Sequence, residues 1–155
     1  MTVTVTKTFD SLDAVEAALG EPIGPGEWLT VEQDRIDAFA ETTGDHQWIH
    51  VDPERAATGP YGAPIAHGYL TLSLLPILGG GLYSIGTGSA RVNYGSNKVR
   101  FPSPVRVGSR IRATATPVAL ERKAAGAFLT TTFVVEIEGS DKPACVAEVV
   151  TLIVP

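Results

Sequence analysis

Residues 65–78 read IAHGYLTLSLLPIL. Leu70, Leu72, Leu74, Leu75, Ile77 and Leu78 leave almost no polar face, so the stretch predicts a helix wrapped by other structure rather than an amphipathic surface helix. Pro76 removes one hydrogen bond and clashes with the preceding turn, so the helix is expected to kink or end there. The following GGGLYSIGTGSA (79–90) reads as a flexible connection. Its G-x-G follows a helix rather than a strand and lacks the third glycine of a dinucleotide loop, which argues against a phosphate cradle. From Ala90 the apolar period changes to two and β-branched residues dominate, predicting strands at about 90–101, 110–120, 127–138 and 144–154. Their separators, SPVRVGS, RKAAG and GSDKP, are short, so neighbouring strands are expected to pair antiparallel as a meander. Helices first and strands afterwards is an α+β order, and its simplest burial solution is a curved, mostly antiparallel sheet around the central apolar helix.

Upstream, Ser11 is placed to cap a short helix with Leu12, Val15 and Leu19 on one face, ended by Gly20 and Pro22. EPIGPGEW (21–28) reads as a turn. Thr30 to Gln33 has the T-x-x-Q form of a capping box, and Ile36, Phe39, Ala40 and Thr43 then recur at helical spacing until Gly44. Asp52-Pro53 is a start signal for another short helix. These bracket Gly44 to Val51 as a loop between helices.

The chain of 155 residues, 44% of them hydrophobic, suits one compact domain over 1–155 that buries a core without disulfides or a metal. A net charge of −5 and scattered Lys and Arg argue against a nucleic-acid partner. Cys145 is the single cysteine and sits in an apolar alternating stretch, where an inert buried thiol is expected. The N-terminal MTVTVTKTFDSL lacks a signal peptide's apolar core and no run of about 18 apolar residues occurs, so no membrane association and a cytoplasmic location are the expectations.

The loop GDHQWIH (44–50) sets Asp45 and His50 five residues apart outside regular helix, where a bent backbone can converge both side chains. A carboxylate and an imidazole sharing a water can take a proton from it and return one elsewhere. Taken alone the spacing is a weak signal, and Asp45 capping the following turn with His50 packed in a core is its ordinary explanation. Gly68, at the start of the apolar helix, would let a ligand approach the backbone, and its free N–H suits an oxygen that gains negative charge. A tight turn into the helix is the competing explanation. His67 and Tyr69 flank that glycine as candidate substrate-binding residues, with a packing role open for His67. Asn97 is a third candidate, because Gly-Ser-Asn inside the strand YGSNKVRF (94–101) suggests a bulge or a close approach. Lys98, Arg100, Arg106 and Arg110 suit the phosphates of a coenzyme A tail, or simply guard a strand edge. His46 is expected to face solvent, and three histidines without ligand spacing do not indicate a metal.

With those residues placed, TTGDHQWIHVDPERA (42–56) resembles the hydratase signature of MaoC-like proteins, G-D-x-N-P-[LIV]-H-x-D-x-x-x-A. IAHGYLTLSLL (65–75) resembles their second block and FPSPVRVGSRIRA (101–113) their third, in the same order and spacing. The chain looks closest to the NodN-like branch and to single-domain (R)-specific enoyl-CoA hydratases. The resemblance implies a hot-dog fold and a homodimer joining two sheets, with acyl-CoA entering near the subunit interface. It implies Asp45 and His50 as the catalytic pair, the Gly68 N–H as oxyanion donor, and no dissociable cofactor. The implied lyase reaction is reversible syn hydration of a trans-2-enoyl-CoA to a (3R)-3-hydroxyacyl-CoA, with the base and acid roles of the pair left open.

Two departures stand out. Gln47-Trp48 replaces the usual Asn-Pro, and Pro76 stands near where some relatives carry a serine that supports the aspartate. A hot-dog thioesterase is the first alternative, but Tyr69 to Leu78 lacks the acidic residue such enzymes place on the central helix. A non-catalytic acyl-thioester-binding module is the second.

Overall fold

Residues 6–155 are described in the computed structural model; the first five residues of the N-terminal segment, with their Thr-Val alternation, lie outside them. Ser11 caps α1 (Leu12–Ala17) by accepting from the Ala14 N–H. α2 (Gln33–Thr43) buries Ile36 and Ala40 and stops at Gly44, which takes the left-handed conformation (φ 80°) open to glycine. The expected capping box does not form. Thr30 instead lies in the short strand β2 (Leu29–Thr30), paired with Arg110, and Glu32 precedes the helix without a side-chain cap. The stretch 44–51 is not wholly loop either: Trp48–Val51 form a single turn, α3, ahead of α4 (Pro53–Ala57), which Asp52 caps as anticipated.

The apolar stretch starts its helix at Gly68, as the His67-Gly68 step suggested, and breaks into α5 (Gly68–Ser73) and α6 (Leu75–Gly80). Pro76 falls in the first turn of α6, where the missing N–H costs little, so the break sits at Leu74. Leu70, Leu74, Leu75 and Leu78 are buried, but Tyr69 and Ile77 are more than half exposed, so the helix is wrapped on one side only.

Against the buried side lies a five-stranded antiparallel sheet in the order β2-β5-β6-β7-β4, with β4 at Ala90–Arg100, β5 at Arg110–Lys123, β6 at Gly126–Ile137 and β7 at Cys145–Val154. Alternate residues of β5 and β6, from Ile111 to Ala115 and from Leu129 to Ile137, face the helices. β5, β6 and β7 form the expected meander, but β4 pairs with β7 at the far edge instead of with β5. Two register shifts, at Asn93/Gly95 and Ser96/Lys98, bulge β4 where the Gly-Ser-Asn suggested it. The connection 79–90 carries β3 (Tyr83–Ile85), parallel to β1 (Lys7–Phe9). Cys145 is fully buried, and burial pushes its thiol up to about 11, consistent with an inert core residue.

Because β4 and β5 occupy opposite parts of the sheet, residues 101–109 must cross the molecule, and that crossing builds the site. The Ala66 N–H donates to the Val105 carbonyl (2.7 Å) and the Val107 N–H to that of Pro64 (2.8 Å). The start of α5 is therefore strapped in place from below. No helix among the described residues is long and apolar enough to cross a membrane.

Candidate active site

The strap 64–67 also holds the histidine of α3. The Ile65 N–H donates to the Ile49 carbonyl (3.0 Å), and His50 Nδ1 lies 2.6 Å from the Ile65 carbonyl oxygen. A carbonyl only accepts, so Nδ1 carries the hydrogen and Nε2 keeps a lone pair for chemistry. The Gln33 amide donates to the His50 carbonyl (2.7 Å) from α2. His50 is 6% exposed, and its pKa is lowered from 6.5 first by burial, with the neighbouring His67 adding to the effect. The Ile65 contact and the Asp45 charge oppose that shift without reversing it. Neutral His50 is thus an acceptor, a base rather than an acid in the resting site.

Asp45 follows directly on Gly44, and its side chain is exposed. His67, buried at 3% exposure, donates from Nε2 to the Asp45 carbonyl (2.9 Å). Its ring stacks on His50 with centroids 3.8 Å apart and planes at 24°, and its other side meets Phe39 at 4.9 Å. One ring nitrogen from each histidine and a carboxylate oxygen of Asp45 all lie within 4.8 Å of one another. That spacing leaves room for one water between the His50 ring and the Asp45 carboxylate, at about 2.8 Å from each. It fits a metal poorly: bonds of about 2 Å require both imidazole planes to contain the ion, and nearly parallel stacked rings do not converge on one.

Gly68 is the first residue of α5, so its N–H has no partner within the helix. With six residues α5 has little macrodipole, and the donor here is the single N–H. A Cβ on Gly68 would fall 2.9 Å from the Phe101 ring, so the close approach that requires glycine is made by the protein's own strap. Tyr69 is 71% exposed, edge-on to Phe101, and does not join the pair. Asn97 does not point into a site: its amide donates to Glu148 across β4 and β7 (2.7 Å). Arg110, the first residue of β5, is committed to Glu138 and Trp28, whereas Lys98, Arg100 and Arg106 are exposed and without such partners among the described contacts. His46 faces solvent beside Glu41, whose carboxylate raises its pKa. The departure at Trp48 is braced from outside, with Arg55 over its ring at 4.3 Å and Gly59 giving it room.

Two contributors escaped the sequence reading. Gln33 looked like half of a capping box and instead supports His50; nothing in its local pattern marks that. Phe101 was visible only as a residue of the third block. A pocket of about 800 Å³ lies between α5–α6 and the sheet, with Leu72, Leu75, Pro76, Gly79, Tyr83 and Phe133 on its wall.

The profile of the MaoC-like domain matches residues 14–138. 3-Hydroxyacyl-thioester dehydratase Z of Mycobacterium tuberculosis is 53% identical over 143 residues, 92% of this chain and 95% of that protein. Nodulation protein N of Rhizobium leguminosarum bv. viciae is 45% identical, with 92% and 91% covered. The (R)-hydratase from A. caviae involved in PHA biosynthesis superimposes with a TM-score of 0.67 at 27% identity, over 84% of this chain and 97% of that one. With most of its length inside that profile and a dehydratase matched across nearly the whole chain, the protein belongs to the MaoC-like dehydratase family, hot-dog in fold and a hydro-lyase in activity.

Proposed function

We propose that the protein is an (R)-specific enoyl-CoA hydratase, adding water reversibly and syn across a trans-2-enoyl-CoA to give the (3R)-3-hydroxyacyl-CoA, with Asp45 and His50 as the catalytic pair. The observation that carries this reading is the convergence of the His50 ring, whose Nδ1 is spent on Ile65, with the Asp45 carboxylate and with His67, the residue just before the first N–H of α5. A water held by both is oriented toward C3. His50 Nε2 takes one of its protons as the oxygen bonds to C3, and the thioester oxygen gathers the enolate charge against the Gly68 N–H. The proton taken from water then goes to C2 from the same face, restoring neutral His50, while Asp45 orients the water and steadies the transient imidazolium. No dissociable cofactor enters these steps.

The thioester substrate named for the mycobacterial relative and the hydratase named for the A. caviae structure support this chemistry. The apolar pocket beside α5–α6 suits the acyl chain, and Lys98, Arg100 and Arg106 suit the coenzyme A phosphates. We further propose a cytoplasmic homodimer.

The test is loss of enoyl absorbance with crotonyl-CoA and longer trans-2-enoyl-CoAs, with the C3 configuration of the product read by chiral analysis. Asp45→Asn and His50→Gln should each lower turnover by roughly 10²–10⁴ with thermal unfolding nearly unchanged. Thiol release without hydration would favour the thioesterase, and binding without turnover the acyl-binding module. A (3S) product would mean that water is held on the opposite face.

A further inference from the structure

We propose that His67 is a positioning residue whose single ring locks Asp45, His50 and the Gly68 amide into one rigid unit. This rests on the hydratase reading above for its catalytic consequence, though not for its geometry.

Asp45 is otherwise loosely held. Its N–H to Thr43 Oγ1 and its carboxylate to the Gln47 N–H are both long, at 3.4 Å. The His67 Nε2–H to the Asp45 carbonyl, at 2.9 Å, is the one short side-chain tie to that residue among the described contacts. The same ring lies flat on His50 at 3.8 Å, and the His67 peptide leads directly into the Gly68 N–H. The His67 carbonyl accepts from the Leu70 and Thr71 N–H groups, so its backbone is fixed as the cap of α5. His67 thus anchors Asp45 through its backbone carbonyl.

The ring is an expensive choice for a packing residue. A carbonyl acceptor on Nε2 makes that nitrogen the N–H, which leaves Nδ1 as a lone pair, buried and without a partner. A buried orphan of this kind costs stability that an apolar ring would not. The ring does more than pack: it ties the Asp45 carbonyl and stacks on His50.

His67 also acts on the proton affinity of His50. The titratable groups facing His50 are Asp45 from the loop and His67 from the strap. α2 approaches with the neutral Gln33 amide, the strap with the Ile65 carbonyl, and α4 presents Arg55 over Trp48 and Asp52 at its own cap. Removing the neighbouring imidazole should therefore raise the pKa of His50.

The experiment uses His67→Phe, which keeps a stacking face but no N–H, and His67→Gln, which keeps a donor for the Asp45 carbonyl but no imidazole. His50 is titrated by imidazole NMR in all three proteins. Expected are an upward displacement of the His50 titration in both variants and a kcat about 10- to 100-fold lower in His67→Phe with KM little changed. Partial recovery of kcat is expected in His67→Gln, with no loss of melting temperature in His67→Phe. An unmoved His50 titration with wild-type kcat would overturn the proposal, as would a loss of activity that simply follows a lowered melting temperature. If His67→Phe fails to fold, its role is structural packing and the proposal is wrong unless His67→Gln still displaces the titration. Failure of the wild type to hydrate any enoyl thioester would sink the hydratase reading alone, because the His50 titration needs no turnover.

Discussion

At the scale of single residues, the division of labour follows from where each imidazole spends its hydrogen. His50 gives Nδ1–H to Ile65 and is left with a basic Nε2 in a buried setting. Since burial and His67 lower its pKa, the group protonates at a lower pH than an ordinary histidine. The acid limb of kcat/KM should accordingly lie below pH 6.5, the ordinary histidine value, and a pH–rate profile between 4.5 and 8 checks it. Stability carries the same sign. A depressed folded pKa means that the unfolded chain binds the proton first, so this contribution is complete above about pH 6.5 and is lost as pH falls through the folded value. Denaturant midpoints measured between pH 7.5 and 5 should fall less steeply in His50→Gln than in the wild type.

At the scale of elements, glycines mark where backbone and side chain come closest. A Cβ on Gly126, at φ 136°, would sit 2.3 Å from the Ile153 carbonyl oxygen, so Gly126→Ala forces apart β6 and β7. A loss of about 2 kcal/mol or more in chemical unfolding is expected. A Cβ on Gly79 would instead meet the Phe133 ring at 3.2 Å, at the wall of the apolar pocket. Gly79→Leu should cut kcat/KM for long enoyl chains about tenfold or more relative to crotonyl-CoA, with stability held by the better helix former. The elements themselves were largely legible. Period two located all four long strands, Ser11 and Asp52 announced their helices, and the proline dated the break in the apolar helix to within two residues. Pairing was less legible: short separators suggest neighbours, but the strap 101–109 spends its hydrogen bonds on Pro64 and Ala66 instead of on a hairpin. The proposed site is legible in the sequence as residue types, Asp45 and His50, and as a resemblance. Its wiring is not, because Gln33, His67 and Phe101 reach it through contacts of long sequence separation that no local pattern encodes.

At the scale of the whole molecule, the sheet ends on a strand that has one neighbour among the described residues. β4 pairs with β7 on one side and is exposed along nearly its whole length, while Tyr69 and Ile77 leave an apolar strip open on α5–α6. A long free edge invites pairing, and Arg91, Lys98 and Arg100 limit that to a partner whose register suits them. In the proposed homodimer a second copy related by a two-fold axis would supply one, with two β4 edges running antiparallel to join the sheets and the opposed helices covering each other's exposed residues. The pocket has both α6 and β4 in its wall, so such a partner would also close it from solvent. The expected solution mass is therefore twice the chain mass of 16.3 kDa. Ile77→Glu places a charge in the strip that the proposed dimer would bury and should shift the protein toward monomer in light scattering, with activity on long enoyl chains lost more than on crotonyl-CoA. A wild-type monomer that hydrates long chains at full rate would show that the pocket closes without a partner, and that the free edge of β4 is tolerated by its charges alone.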